Sequence, residues 1–237
     1  MKFGVITFPG SNCDDDMIYV LQDVLGQKVT KIWHKETSLA HFNPNDCIVI
    51  PGGFSFGDYL RCGAIARFSP IMNEVIRFAQ SGGYVFGICN GFQILCEAGL
   101  LPGQLLLNHK QKFICQNIYV KPCNTDTPFT YNLDLNKAYK IPIAHAEGRY
   151  FADEATLTQL RDNNQIMFQY CDQNGQVNDG ILNKIEMAFR AYDPCLSCAT
   201  HTLPGQMPLE LIVRDQRGEV IHHASQYVAP ELLAQPE

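Results

Sequence analysis

An α/β fold, with a parallel or mixed sheet flanked by helices and an atypical C-terminal segment, is what the sequence predicts. Three observations predict it. Short apolar runs alternate with helix-period patterns over the first hundred residues, several of these runs end in glycine-rich turns, and residues 84–89 form a nearly all-apolar strand of the kind buried on both faces. The chain has 237 residues, 46% of them apolar, enough to fill one sizeable core. Its formal charge of -6, with no run of Lys or Arg, speaks against a nucleic-acid surface. No stretch approaches the ~20 apolar residues of a membrane span, and Met1-Lys2-Phe3 runs straight into a strand pattern without an export leader, so a cytoplasmic protein is expected. Reduced thiols are then expected of its cysteines, and Cys47 and Cys115, placed in apolar runs, read as small core residues.

The elements follow in order. Residues 2–8 are the first strand. Ser11 and Asn12 offer a helix cap, Asp14, Asp15 and Asp16 suit a first helical turn, and Met17, Val20, Leu21 and Val24 supply the apolar stripe that Gly26 ends. Strands are expected over 28–33 and 47–50, the latter running into Pro51-Gly52-Gly53. A helix with the face Phe68, Ile71, Met72, Val75, Ile76 and Ala79 closes at Ser81-Gly82-Gly83. The apolar run 84–89 is read as a central parallel strand, and 92–99 continues as a helix. Longer extended runs over 113–123, 138–151 and 166–171 predict an antiparallel section beside the parallel core. Residues 209–213 and 220–222, around Arg217-Gly218, read as a hairpin.

Gly87-Ile88-Cys89-Asn90-Gly91 places a cysteine at a strand-to-helix turn with a glycine two residues away on each side. Small flanking residues permit the sharp turn that projects a nucleophile, and a helix N-terminus favours thiolate. The bland alternative is a buried cysteine between two tightly packed glycines. Context favours chemistry: Pro51-Gly52-Gly53-Phe54 follows the preceding core strand and faces the same sheet edge, so the N–H groups of Gly53 and Asn90 can form an oxyanion hole.

Three segments, residues 51–61 (Pro-Gly-Gly-Phe-Ser-Phe-Gly-Asp-Tyr-Leu-Arg), 87–93 (Gly-Ile-Cys-Asn-Gly-Phe-Gln) and 144–149 (Ala-His-Ala-Glu-Gly-Arg), resemble in order and spacing the small glutaminase subunits of phosphoribosylformylglycinamidine synthases, members of the class I glutamine amidotransferases. The resemblance spans residue 1 to about 177 and implies an amidotransferase domain over 1–178. It implies that Cys89 attacks the glutamine side-chain amide in purine biosynthesis, that Gln93 helps hold glutamine, and that His145, Glu147 and Arg149 lie near a subunit interface or the mouth of the site. The implied partners are a large synthetase subunit, which uses ATP and magnesium, and a small accessory subunit. No cofactor of the chain's own is implied. For Gln93 an ordinary helix position, and for His145 and Glu147 a solvated or structural pair, remain open.

The family also carries a His-Pro-Glu segment near its C-terminus, and this sequence has none: of the late histidines His201, His222 and His223, none is followed by x-Glu. Residues 179–237 instead resemble the C-terminal end of nickel-iron hydrogenase large subunits. There Cys195 and Cys198 would be metal-binding thiolates and His201 would mark a maturation cut. Cys195/Cys198 is the one Cys-x-x-Cys pair of the chain, so a nickel-iron centre cannot be assembled from it; a reduced pair without metal is expected, with adventitious zinc as the other outcome. A glutaminase with reduced activity is the leading reading. A metal-binding, hydrogenase-derived chimera and an inactive docking subunit are the alternatives.

Overall fold

Residues Phe3 to Phe8 are buried without a break, and a strand covered on both faces is the local structure such a run dictates. In the computed structural model, which describes residues 1–127 and 129–177 and three short strands beyond them, this run is β1 (Lys2–Thr7). It pairs in parallel with β2 (Lys28–Trp33) and β3 (Cys47–Ile50), and β3 pairs with β4 (Tyr84–Gly87), giving the order β2-β1-β3-β4. Expected in the centre, β4 is the last strand of this sheet among the described residues.

The period-2 alternation of the strands divides the core. Phe3, Val5, Cys47, Val49 and Phe86 face α1 (Asp14–Tyr19) through Met17, with Leu21 just beyond it. Ile6, Ile48, Ile50 and Val85 face the opposite layer, where α2 (Pro70–Gln80) contributes Ile71, Met72, Val75, Phe78 and Ala79. Burying each such side chain is worth about 1.5–3 kcal/mol, more than local propensity contributes, so the pattern sets the fold.

Two local expectations fail here. Ser11 does not cap α1: the cap position is Cys13, without a side-chain bond, because Ser11 bridges to Gly53 and its hydroxyl accepts the Phe8 N–H at 3.0 Å. Phe68 is 75% exposed, because α2 begins only at Pro70 and its register buries Phe78 in its place. Arg67 lies over the Phe68 ring instead, 4.7 Å from its centre.

The antiparallel section forms as expected, in the order β10-β9-β6-β7 from β6 (Ile114–Pro122), β7 (Tyr139–His145), β9 (Ile166–Cys171) and β10 (Glu186–Ala188). The run 138–151 is divided, for β7 ends at His145 and β8 (Arg149–Phe151) turns away to pair with β5 (Gln104–Leu106). Cys115, expected in the core, is exposed, since the start of β6 packs nothing over that position. Between β8 and β9, α4 (Glu154–Asp162) is capped by Asp153, whose carboxylate accepts the Thr156 N–H at 2.7 Å. Strands β11 (Ile212–Arg214) and β12 (Val220–His222) pair antiparallel, as the hairpin pattern predicts.

Candidate active site

Strand β4 stops at Gly87, and the Ile88 N–H still donates to the Ile50 carbonyl at 3.0 Å. The backbone then reverses at Cys89, with φ 52° and ψ -110°, and α3 (Asn90–Glu97) begins. A non-glycine residue held at such a φ stores strain of about 1–3 kcal/mol. Tight packing maintains it. A Cβ on Gly91 would lie 1.9 Å from the Ile50 carbonyl oxygen, and one on Gly87 would lie 2.7 Å from that of Gly91. The two glycines of the elbow are therefore steric requirements, and the helix can meet the sheet only through them.

Gly53 follows β3, at φ +133° and bridged to Ser11, where an added Cβ would sit 2.5 Å from the Asn12 nitrogen. Its N–H and that of Asn90 both hydrogen-bond toward the Cys89 sulfur. Two backbone donors converging on a thiol at a helix N-terminus are the parts of an oxyanion hole.

The electrostatics of the thiol differ from the sequence expectation. Burial pushes Cys89 up to about 11, the nearby Asp58 charge adds to this, and the Asn90 and Gly53 N–H groups pull it back only in part. The helix dipole thus loses to desolvation, and the resting thiol is protonated at neutral pH.

Around the elbow runs a polar network that joins three stretches of chain. The Asn90 carboxamide is buried; its oxygen accepts the Ser55 N–H at 3.1 Å, and its nitrogen donates to Asp58 Oδ1 at 3.0 Å and Gln93 Oε1 at 2.9 Å. Gln93 Nε2 donates to the Glu147 carbonyl at 2.9 Å, and the Cys62 N–H donates to Glu147 Oε2 at 3.3 Å. Gln93, expected to hold substrate, has its carboxamide engaged within the protein. Burial raises the Asp58 carboxyl above the usual carboxylate range, opposed by hydrogen bonds from Cys62 and Asn90. The Cys62 thiol is pushed up by burial and by its bond to Glu147. Tyr170, on β9, is pushed up to about 12 by burial, to which a charge on Cys89 would add.

His145 and Arg149 stand further out. The imidazole Nδ1 pairs with Asn108 Oδ1 at 3.0 Å, while Nε2 is buried without a partner among the described residues. The ring packs on Gly148, where a Cβ would come within 2.1 Å of it, and burial lowers its pKa. Arg149 Nε donates to the Leu107 carbonyl at 3.1 Å. Glu147 and Arg149, with Leu60, Arg61, Asn108 and Leu107, line a cavity of about 470 Å³ that adjoins the network and does not include Cys89.

The structure thus brings together Cys89, Asn90, Gly53 and Gln93, links Glu147 to them, and sets Arg149 on the adjoining cavity and His145 against Asn108 and Gly148. Sequence reasoning missed Asp58, Cys62 and Tyr170. Asp58 carried a signal, since a carboxylate after Gly57 in a turn favours the left-handed conformation it adopts, φ 52°. A tyrosine on an apolar strand carries none. Cys195, Cys198, His201 and His223 lie outside the described residues, as does the His222 side chain.

Residues 1–182 match the CobB/CobQ-like glutamine amidotransferase domain family. Among curated relatives, phosphoribosylformylglycinamidine synthase subunit PurQ of Moorella thermoacetica is 58% identical over 177 residues, covering 75% of this chain and 74% of its own. Its counterpart in Trichormus variabilis is 48% identical over 207 residues, covering 83% and 91%. Among solved structures, PurLQS from Thermotoga maritima superposes with a TM-score of 0.63 at 39% identity, over 73% of this chain and 76% of that one.

Proposed function

Because the chain belongs to the CobB/CobQ-like glutamine amidotransferase family, we propose that it is the glutaminase subunit of a phosphoribosylformylglycinamidine synthase, hydrolysing glutamine to feed ammonia into purine biosynthesis. The observation that carries the chemistry is the elbow at Cys89, with the N–H groups of Gly53 and Asn90 directed at its sulfur. Cys89 loses its proton and its sulfur bonds to the amide carbon. The electron pair shifted to oxygen is held by the two N–H groups, and the C–N bond then breaks as the nitrogen gains a proton and leaves as ammonia. Water next cleaves the γ-glutamyl thioester, releasing glutamate and restoring the thiol.

In this reading ATP and magnesium belong to the large synthetase subunit, with a small accessory subunit completing the complex, and the chain works in the cytoplasm. Among the described residues no helix is long and apolar enough to cross a membrane. The rim supports partner docking there. Leu60 is 94% exposed and Tyr59 73%, beside the cavity that Glu147 and Arg149 line. We take 1–178 as the amidotransferase unit and 179–237 as a separate segment, in line with a family match that ends at 182. That match stops short of Cys195 and Cys198, and the hydrogenase reading gains no support from the relatives described above.

The test is glutamate release from glutamine by the full chain with its synthetase partners. Cys89→Ala is expected to bring release to background while the complex still assembles. Undiminished release would refute the nucleophile, whereas no release from the unaltered chain would leave the docking-subunit reading.

A further inference from the structure

The loop that follows β3 adopts an unusual course: Phe56, Gly57, Asp58 and Leu60 all have positive φ, between 52° and 70°. Its backbone is held at one end by bonds from Phe54 N–H to the Gly10 carbonyl and from Phe56 N–H to the Pro9 carbonyl. At the other end it is held by side chains. Asp58 accepts from Asn90 Nδ2 at 3.0 Å, and the Ser55 N–H reaches Asn90 Oδ1 at 3.1 Å. Asn90 is 2% exposed and is the residue whose backbone N–H faces the sulfur, so its carboxamide cannot turn without breaking bonds in a buried place.

We infer that Asp58 is a positioning residue for acylation of Cys89: by accepting from the Asn90 carboxamide it fixes the first turn of α3, and with it the Asn90 N–H, against the sulfur. This rests on the glutaminase reading. Asp58 does not serve by its charge. A carboxylate near the sulfur opposes thiolate formation, and the other titratable groups of the network, Glu147, Cys62 and Tyr170, bring no positive charge to offset it. What the geometry uses is an acceptor oxygen, placed by a left-handed backbone that asparagine and glycine also adopt readily.

Two substitutions separate the roles. Asp58→Asn keeps an acceptor oxygen and removes the charge; Asp58→Gly removes both and leaves the backbone unstrained. Each is made in the full-length chain and acylated in single turnover by an activated γ-glutamyl aryl ester. There the S–C bond forms as the ester C–O bond breaks, and the aryloxide leaves with its electron pair and needs no proton. Alkylation of Cys89 by iodoacetamide against pH reports the thiol separately. Both variants are expected to shift the alkylation profile to lower pH by similar amounts. Acylation is expected to stay within about threefold for Asp58→Asn and to fall at least tenfold for Asp58→Gly, a part of the ~10²–10³ that one oxyanion donor commonly contributes.

Equal acylation rates in the two variants would overturn the inference and leave only a charge effect. If Asp58→Gly proves too unstable to assay, the thermal stabilities of Asp58→Gly, Asn90→Ala and the double variant decide: coupled losses support the bond, and additive losses overturn it. An unaltered chain that is alkylated at Cys89 but not acylated would overturn the glutaminase reading itself, a result distinct from either.

Discussion

The thiol of Cys89 sets the terms of the site at the scale of single residues. Desolvation outweighs two backbone donors, so the rate of Cys89 alkylation by iodoacetamide is expected to climb with pH to a midpoint near 11, against 9.0 for an ordinary thiol. Peptide mapping of the alkylated chain measures it, and a midpoint below neutrality would show that the donors win. Cys89, Gly53 and Asn90 were legible in the sequence because each lies in a short glycine-bounded segment whose geometry is local. Cys62 and Tyr170 were not, and Asp58 was legible only as a left-handed turn position: that these residues surround the elbow arises from β3, β9 and the loop meeting in space, and no spacing along the chain encodes it. The thiolate expectation failed for the same reason, since a helix terminus is visible in sequence and its burial is not.

Elements meet at tolerances that glycine sets. Gly91→Ala drives a methyl group into the Ile50 carbonyl, 1.9 Å away, so α3 must move off β3. Overpacking of this kind costs about 1–3 kcal/mol or more, and the urea midpoint of the variant is expected to fall accordingly. An unchanged midpoint would show that the helix docks loosely. The junction of β2 and α2 adds a pH dependence: His34 is buried, its Nδ1 3.2 Å from Ser69 Oγ, and burial, aided by Lys35, lowers its pKa below the ordinary 6.5. A base whose folded pKa is depressed gives stability that is complete above 6.5 and lost as the pH falls through the folded value. Urea midpoints are therefore expected to drop on acidification, and less steeply in His34→Gln, with His145 responsible for part of what remains. The strand alternation of this core was readable from apolar residues alone. The start of α2 was misread at Phe68, because Ser69-Pro70 is a strong start signal that the apolar stripe runs across.

Taken whole, the molecule pairs an intact elbow with a departure from its family's C-terminal pattern, where the His-Pro-Glu segment is missing. Proton transfer to departing ammonia needs a positioned acid, and general acid–base help is commonly worth ~10²–10⁴-fold. Glutaminase turnover with the synthetase present is expected to fall short of an intact family member by a factor in that range, measured as glutamate released per chain. Family-typical turnover that disappears on substituting His145, His201, His222 or His223 would reveal a replacement base. The parallel sheet followed from sequence periodicity, because β1, β3 and β4 are short apolar runs closed by local turn signals. One consequence concerns handling. Of the described cysteines, Cys47, Cys62, Cys89 and Cys96 are masked by desolvation, while Cys115 on β6 and Cys123 just after it stand open to solvent. In aerated buffer Cys115 and Cys123 are the thiols among them open to air oxidation, so dimers linked through the described cysteines trace to the two ends of β6 in the antiparallel sheet, and replacing both by serine is expected to lengthen shelf life with an untouched elbow.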